Sequence, residues 1–383
     1  MELTLTRKKL SAWILVVCLF LIIFSAIILS PNLPFQSWDF KSNLWGPANL
    51  LVHGWSPYDI HHLIPDTNAV WLPMVIGLFS PLGWLTEALA DKIWFLLTLA
   101  SLILIIWLSC NHNPLRPVTF ALVLITVFLF PPTIAHIDYG QFSILATALF
   151  LMVVMIPLPT LLKGFMLALA FSKPQLGLLF FPGIFLYEYR SKGIRDALTL
   201  FECCVVGSIV LSLPLFLVQP DFYKKLIANL LGNNKWAQPS SFSFLSVKFG
   251  NIGIWIWVFL ALAIFILNLW IWVHYPPQKS VLWCLALTAL ISPYLWSWDF
   301  VLLLPLAIAL FAQLRTTAGL VLLTAGFVGC EVIEISMRLG TNLPDDRNWW
   351  IPIYVLAVFL MSIFFDRRST LQVRAGYSAQ QKY

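Results

Sequence analysis

The residues best suited to chemistry in this chain are carboxylates, amides and one lysine that interrupt otherwise apolar sequence. Asp39 sits between Trp38 and Phe40 in the stretch Ser37-Trp38-Asp39-Phe40-Lys41-Ser42-Asn43-Leu44-Trp45. Two readings fit it: a helix-capping or solvated aspartate, or a carboxylate held at a lipid–water boundary as a general base. The turn Thr133-Ile134-Ala135-His136-Ile137-Asp138-Tyr139-Gly140-Gln141-Phe142-Ser143 sets polar side chains between two long apolar runs. Asp138 and His136 have the chemistry to hold a metal or a phosphate-bearing substrate, and equally to cap the helix that follows. Lys173, in Ser172-Lys173-Pro174-Gln175, is a cation inside an apolar stretch. Such a lysine is costly unless it snorkels to water or meets an anion, for which a lipid phosphate is one candidate. The segment Ser292-Pro293-Tyr294-Leu295-Trp296-Ser297-Trp298-Asp299 adds a further carboxylate beside aromatics of an interfacial kind.

Other chemistries find little support. His53, His61 and His62 with Asp59 and Asp66 hint at a metal, but adjacent His61 and His62 cannot share a helix face, and no His-x-x-x-His spacing occurs. No cofactor is called for, although a divalent metal is compatible with the carboxylates. There is no Walker loop, dinucleotide glycine motif or Gly-x-Ser-x-Gly elbow. The six cysteines lie in or beside apolar runs and read as packing residues. The polar mixture of Asn233, Asn234, Lys235, Trp236 and Gln238 suits sugar or headgroup contact as well as any wet loop.

These residues must be positioned by membrane-spanning helices. The chain has 383 residues, 60% hydrophobic and 10% charged, against about 25% charged in soluble proteins. At about 20 apolar residues per span, it has room for roughly 10 to 13 crossings and little else. The expected fold is therefore an all-α polytopic membrane protein of about 12 transmembrane helices, a single domain over 1–368 with a disordered cytoplasmic tail at 369–383. Spans are expected near 10–30, 91–110, 117–132, 140–158, 160–172, 174–188, 197–218, 251–273, 280–295, 299–314, 317–336 and 349–365. The runs 160–172 and 174–188 are short for spans, and Pro174 would alternatively kink one longer helix. The first outer loop covers 31–90. In it Phe40, Leu44, Leu51 and Trp55 recur at roughly helical spacing, as for a helix along the membrane surface. A second large outer loop covers 219–250.

The stretch 70–86, broken by Pro73, Gly77, Pro81 and Gly83, decides the topology. If it does not cross, 14 of the 23 basic residues fall inside on mostly short loops, including Arg190, Lys192, Arg195, Arg367 and Arg368. If it crosses, those clusters move outside. The charge rule selects the non-crossing arrangement, with both termini cytoplasmic. The net charge of +6 is thus a topology signal and not a nucleic-acid signal. The same arrangement sets Asp39, Asp138, Lys173 and Asp299 on one outer face, together with most of the acidic residues.

The order of these elements resembles a known family. An aspartate follows the first span, and a Gly54-Trp55-Ser56-Pro57-Tyr58 turn follows it about fifteen residues on. Gly140-Gln141-Phe142-Ser143 resembles a Gly-Gln-x-Asn or Gly-Gln-x-Ser motif. Lys173-Pro174 and a Ser292-Pro293…Trp turn complete the series. Over about 10–365 the chain is similar to the polyprenyl-phosphate-sugar-dependent glycosyltransferases of the GT-C superfold, and among them to glycosyltransferase family 87. The resemblance implies a GT-C-like bundle with juxtamembrane helices in the first outer loop. It also implies a catalytic aspartate there, which maps onto Asp39, and metal or substrate contact by acidic residues of the second outer turn, which maps onto Asp138. His136, Gln141, Tyr58, Lys173 and Asp299 are the further candidates for substrate contact. The chain departs from the family at the Ser-Pro…Trp turn, where relatives often carry a histidine and this sequence has Trp296, Trp298 and Asp299.

The expected activity is inverting transfer of a hexose from a polyprenyl-phosphate donor to a lipid, glycan or protein acceptor. It would run on the outer face of the plasma membrane, with mannose favoured by the resemblance. The alternative is a lipid or sugar transporter or flippase, which would show internal repeats and midplane charges. No repeat is visible.

Overall fold

The computed structural model describes residue 30 and residues 33–65, 67–110, 115–232, 238–339 and 345–380, with the backbone alone over 369–380. Apart from residue 30, the expected first span lies outside the described residues. So do Asp66, Asn233, Asn234, Lys235 and Trp236. The described residues are helical, with no strand among them.

Five helices are long and apolar enough to cross a bilayer: Glu87–Ser109, Ile194–Val218, Ser241–His274, Thr317–Arg338 and Asp345–Arg368. A sixth candidate, Pro117–Leu129 with Pro131–Tyr139, bends by 55° at Phe130. There the prolines at 131 and 132 remove backbone donors. This is a polytopic membrane architecture. Several expected spans are instead shorter helices: Ser143–Met155, Thr160–Ala170, Phe180–Lys192, Pro277–Ile291 and the pair Ser297–Leu303 and Leu304–Gln313. An 11-residue helix is about 17 Å long, against about 30 Å of hydrocarbon. Burial explains how short helices persist. Helix Ser143–Met155 and segment 297–311 are enclosed almost throughout, and irregular backbone is tolerated at membrane depth where protein surrounds it.

The lipid side is equally distinct. Helix Ile194–Val218 exposes Phe201, Val206, Ile209 and Leu217, and helix Ser241–His274 exposes Trp255, Phe259 and Ile266. Without a hydrophobic drive between helices in lipid, close packing depends on small residues. At Gly164, where Thr160–Ala170 meets Ile194–Val218, an added Cβ would lie 2.3 Å from the Cys203 Cβ and 2.6 Å from its carbonyl carbon.

The stretch 70–86 forms helices Pro73–Leu78 and Ser80–Trp84, too short even together to cross. The segment 33–65, expected as part of the first outer loop, is folded more tightly than the sequence suggests. Trp38–Phe40, π-helical Lys41–Trp45 and Gly46–Val52 run on as one helical segment. Its apolar residues Phe40, Leu44 and Leu51 are buried in protein and do not lie against the membrane surface; only Trp55 is outward. The 73–84 helices pack on the 41–52 part of this segment, while Phe40 stacks on Trp94 with centroids 5.7 Å apart. At the other end of the chain, Ile351–Gln380 continues as helix through most of the stretch expected to be a disordered tail, since no proline follows Pro352. Pro174 does not kink a single helix: Thr160–Ala170 and Phe180–Lys192 are separate, joined through 171–179.

These two helices also separate the charges. Both run between an end that holds Lys173 and an end where Glu188 is enclosed by Lys192 at 2.8 Å and Lys163 at 3.6 Å. Lys173 therefore lies at the opposite end of these two helices from the basic cluster near 190.

Replacing Gly164 by leucine is expected to separate its helix from Ile194–Val218 and destabilise the protein by about 1–3 kcal/mol. Thermal melting in detergent reads this directly. Leu217→Ala, on a residue 76% exposed on the lipid side, should leave the melting temperature nearly unchanged.

Candidate functional site

Three breaks in the helical bundle meet at one place. The first is the turn after Pro131–Tyr139. Gly140 ends that helix at φ +68°, in the left-handed region that glycine enters without strain. A Cβ there would also come within 2.7 Å of the Phe40 Cβ, so the turn seats directly on the Asp39 segment. Trp94 Nε1 donates to the Gly140 carbonyl at 2.9 Å and holds the turn from the other side. The second break is 171–179, which carries Lys173. The third is 292–296, which leads into the 3₁₀ helix Ser297–Leu303 and Asp299.

The side chains form a continuous hydrogen-bonded chain. Asp39 accepts from Asn43 Nδ2 at 3.0 Å, an i,i+4 contact on the helical segment, and from Gln141 Nε2. Gln141 Oε1 accepts from Lys173 Nζ at 2.6 Å. Lysine can only donate, so the amide has one orientation: oxygen toward Lys173, nitrogen toward Asp39. Lys173 Nζ also donates to Asp299 Oδ1 at 3.0 Å and to Ser143 Oγ at 3.2 Å, and it lies 5.7 Å from the Trp71 ring centroid. Ser143 Oγ donates to Asp299 Oδ1, and the Trp296 backbone N–H donates to Asp299 Oδ2 at 3.1 Å. Lys173 and Asp299 are both buried. Asp39 is only partly buried as a residue, yet protein encloses its carboxyl group. That loss of water raises the Asp39 pKa from 3.8 to about 6. Asp299 pushes in the same direction, against Lys173, Gln141 and Asn43.

Of the residues singled out in the sequence, Asp39, Gln141, Lys173 and Asp299 are thus brought into one cluster. Asp138 lies beside it and ties the first loop to the second: its carbonyl accepts from Ser37 N at 2.7 Å, and its carboxylate from Gln36 N at 3.3 Å. His136 is fully buried, and its Nε2 accepts from the Ile144 backbone N–H at 2.9 Å, a helix-capping contact that puts its proton on Nδ1. Tyr58 is not in the cluster. Its hydroxyl donates to the Trp71 carbonyl at 3.0 Å, so it reaches Lys173 only through the Trp71 ring. Asp59 pairs with Lys225 at 3.1 Å and His62 at 3.6 Å, well apart in sequence from these breaks. Among the described residues no three His, Cys, Asp or Glu side chains converge as a metal site.

Sequence reasoning passed over Asn43, Ser143 as a bonding partner, and Trp71. Asn43 was legible from its spacing four residues after Asp39. Trp71 lies far from Lys173 in sequence, and only the fold brings them together.

The fold defines an all-helical polytopic membrane protein with a buried polar centre where its helices break. The sequence model of Glycosyltransferase family 87 matches residues 72–295, more than half of the chain. The chain belongs to this family and is a membrane glycosyltransferase, which takes a sugar donor and an acceptor. The matched residues include His136, Asp138, Gln141, Ser143 and Lys173, while Asp39, Tyr58 and Asp299 lie beyond them. Neither a search of curated proteins nor a search of solved structures finds a match.

Removing one partner of a buried ion pair leaves the other uncompensated, at a cost of about 3–5 kcal/mol. Lys173→Met is therefore expected to lower the melting temperature strongly, and the double variant Lys173→Met/Asp299→Asn to recover much of the loss. A thermal double-mutant cycle measures the coupling.

Proposed function

We propose that this protein transfers a hexose, with mannose favoured by the family resemblance, from a polyprenyl-phosphate donor to a lipid, glycan or protein acceptor. The reading places the reaction at the outer face of the plasma membrane, in a GT-C-like single domain over 1–368. That domain has twelve crossings and both termini in the cytoplasm. Its support is the separation of Lys173 from the basic cluster near 190 and the shortness of the 70–86 helices.

One observation carries the mechanism: a carboxylate with a pKa of about 6 linked through a single amide to a buried ammonium. The acceptor hydroxyl oxygen attacks the anomeric carbon while Asp39 takes its proton. The bond from the anomeric carbon to the phosphate oxygen breaks, and its electron pair leaves on the phosphate. Phosphate is a good leaving group without protonation, so no general acid is required. Its charge needs a cation, and Lys173 is the candidate. All three of its donors are engaged, so the phosphate would take the place of one acceptor. Ser143, at 3.2 Å, makes the longest of these contacts. One displacement inverts the anomeric centre. Asp138, Asp299, Gln141, His136 and Tyr58 would shape the substrate cavity around this pair or support it.

Asp39→Asn is expected to lower kcat by about 10²–10⁴ in transfer of labelled sugar from polyprenyl-phosphate mannose to membrane lipid. Near-normal turnover in a properly inserted variant contradicts the base assignment. A base must be ionised to accept a proton. In the wild type kcat/KM should therefore rise with pH through about 6 and level off above it, and the residual rate of Asp39→Asn should lack that limb.

A further inference from the structure

The face beside the Asp39 centre carries a stack of three aromatic side chains that the mechanism does not use. Trp296 and Trp298 are stacked, with centroids 5.1 Å apart and planes 13° from parallel. Tyr139 leans on the other side of Trp298, at 4.9 Å and 43°. All three are only partly buried. The stack is tied to the centre at both ends: Trp298 immediately precedes Asp299, and Tyr139 lies two residues before Gln141. Asp39 itself is within electrostatic reach of Tyr139.

The charged groups around the stack are mainly acidic: Asp138 and Asp345 act on Tyr139 more strongly than Arg338, the one cation among them. Asp345 is fixed there by the Ser297 backbone N–H, which donates to Oδ2 at 3.0 Å. Trp298 Nε1 is buried and has no hydrogen-bond partner. An unpaired buried N–H is costly, and a ligand acceptor atom would relieve it.

We infer that Tyr139, Trp298 and Trp296 form the subsite for the acceptor, and that the acceptor presents a neutral hexopyranoside. Flat aromatic surface with a few polar groups at its edge is how proteins bind rigid, amphipathic small ligands. A pyranoside has an apolar ring face for the stack, an oxygen for the indole N–H, and hydroxyl donors for Asp138 and Asp345. The carboxylates also separate the two substrates. Arg338 is already paired with Glu334, so the balance there disfavours a phosphate, which belongs at Lys173, and tolerates a neutral sugar. The acceptor hydroxyl then lies on the Asp39 side of the Gln141 bridge, where the base waits. This inference rests on the reading of Asp39 as the centre of transfer.

The test uses the full-length protein in lipid nanodiscs, with polyprenyl-phosphate mannose as donor and octyl α-mannopyranoside as acceptor probe. Trp296→Ala should raise the acceptor KM about tenfold and move the donor KM less than twofold, while Trp296→Phe restores most of the acceptor KM. A shift in donor KM alone, or in neither, overturns the assignment. So does transfer to a threonine-bearing peptide with none to octyl hexosides. A second measurement needs no turnover. Saturation-transfer NMR with methyl α-mannopyranoside, glucopyranoside and galactopyranoside should show ring-face contact in the wild type, lost in Trp296→Ala. No difference for any of the three overturns it. If Asp39→Asn keeps full turnover, the base reading alone has failed, and both measurements on Trp296 still decide the subsite.

Discussion

The rest of the structure depends on the need to satisfy one buried cation. Lys173 is enclosed by protein at a depth where an unpaired ammonium would be driven out or neutralised. Its three donors reach three acceptors from two other chain breaks: Gln141 and Ser143 from one, Asp299 from the other. None of these acceptors lies near Lys173 in sequence. The bundle must therefore bring 140–143, 171–179 and 292–303 together, and the helices on either side of each break are cut short to allow it. The charge then passes outward through an oriented amide. Because Lys173 fixes the Gln141 oxygen, the nitrogen must face Asp39, and the segment that carries Asp39 is drawn onto the bundle.

The membrane character of this protein was fully legible in composition, and so was the existence of these breaks. Pro174, Gly140 and the Ser292-Pro293 pair each interrupt an apolar run, and each marks a true interruption in the fold. The lengths of the helices were not legible in the same way. Apolar runs such as 160–172 and 140–158 read as spans because hydropathy cannot separate a lipid-facing helix from one enclosed by other helices. Ser143–Met155 is enclosed by protein almost throughout and Thr160–Ala170 over its 167–170 end, although Leu161 and Leu162 are exposed. The apolar stripe of Phe40, Leu44 and Leu51 was misassigned to the membrane surface for the same reason: an amphipathic helix shows which face is apolar, and the fold decides what covers it.

The centre itself was readable in part. Asp39, Lys173 and Asp299 stood out because a charge in apolar sequence demands a partner, and Lys173 and Asp299 prove to be partners of each other. Tyr58, singled out through the resemblance, and His136, a polar residue between apolar runs, instead satisfy the backbone: one donates to the Trp71 carbonyl, the other accepts from Ile144. Residue type alone could not divide these cases. Trp71 and the stacking of Tyr139 on Trp298 depend on contacts between distant segments, for which one sequence carries no signal.

The central claim is a single displacement, with Asp39 as base on one side of the anomeric carbon and the phosphate leaving on the other. The anomeric configuration of the product tests it most directly. With a donor of defined configuration, the carbon–proton coupling at the anomeric carbon of the product distinguishes the outcomes by NMR. The account predicts a product of opposite configuration to the donor. A product that keeps the donor's configuration would require a second displacement and would contradict it.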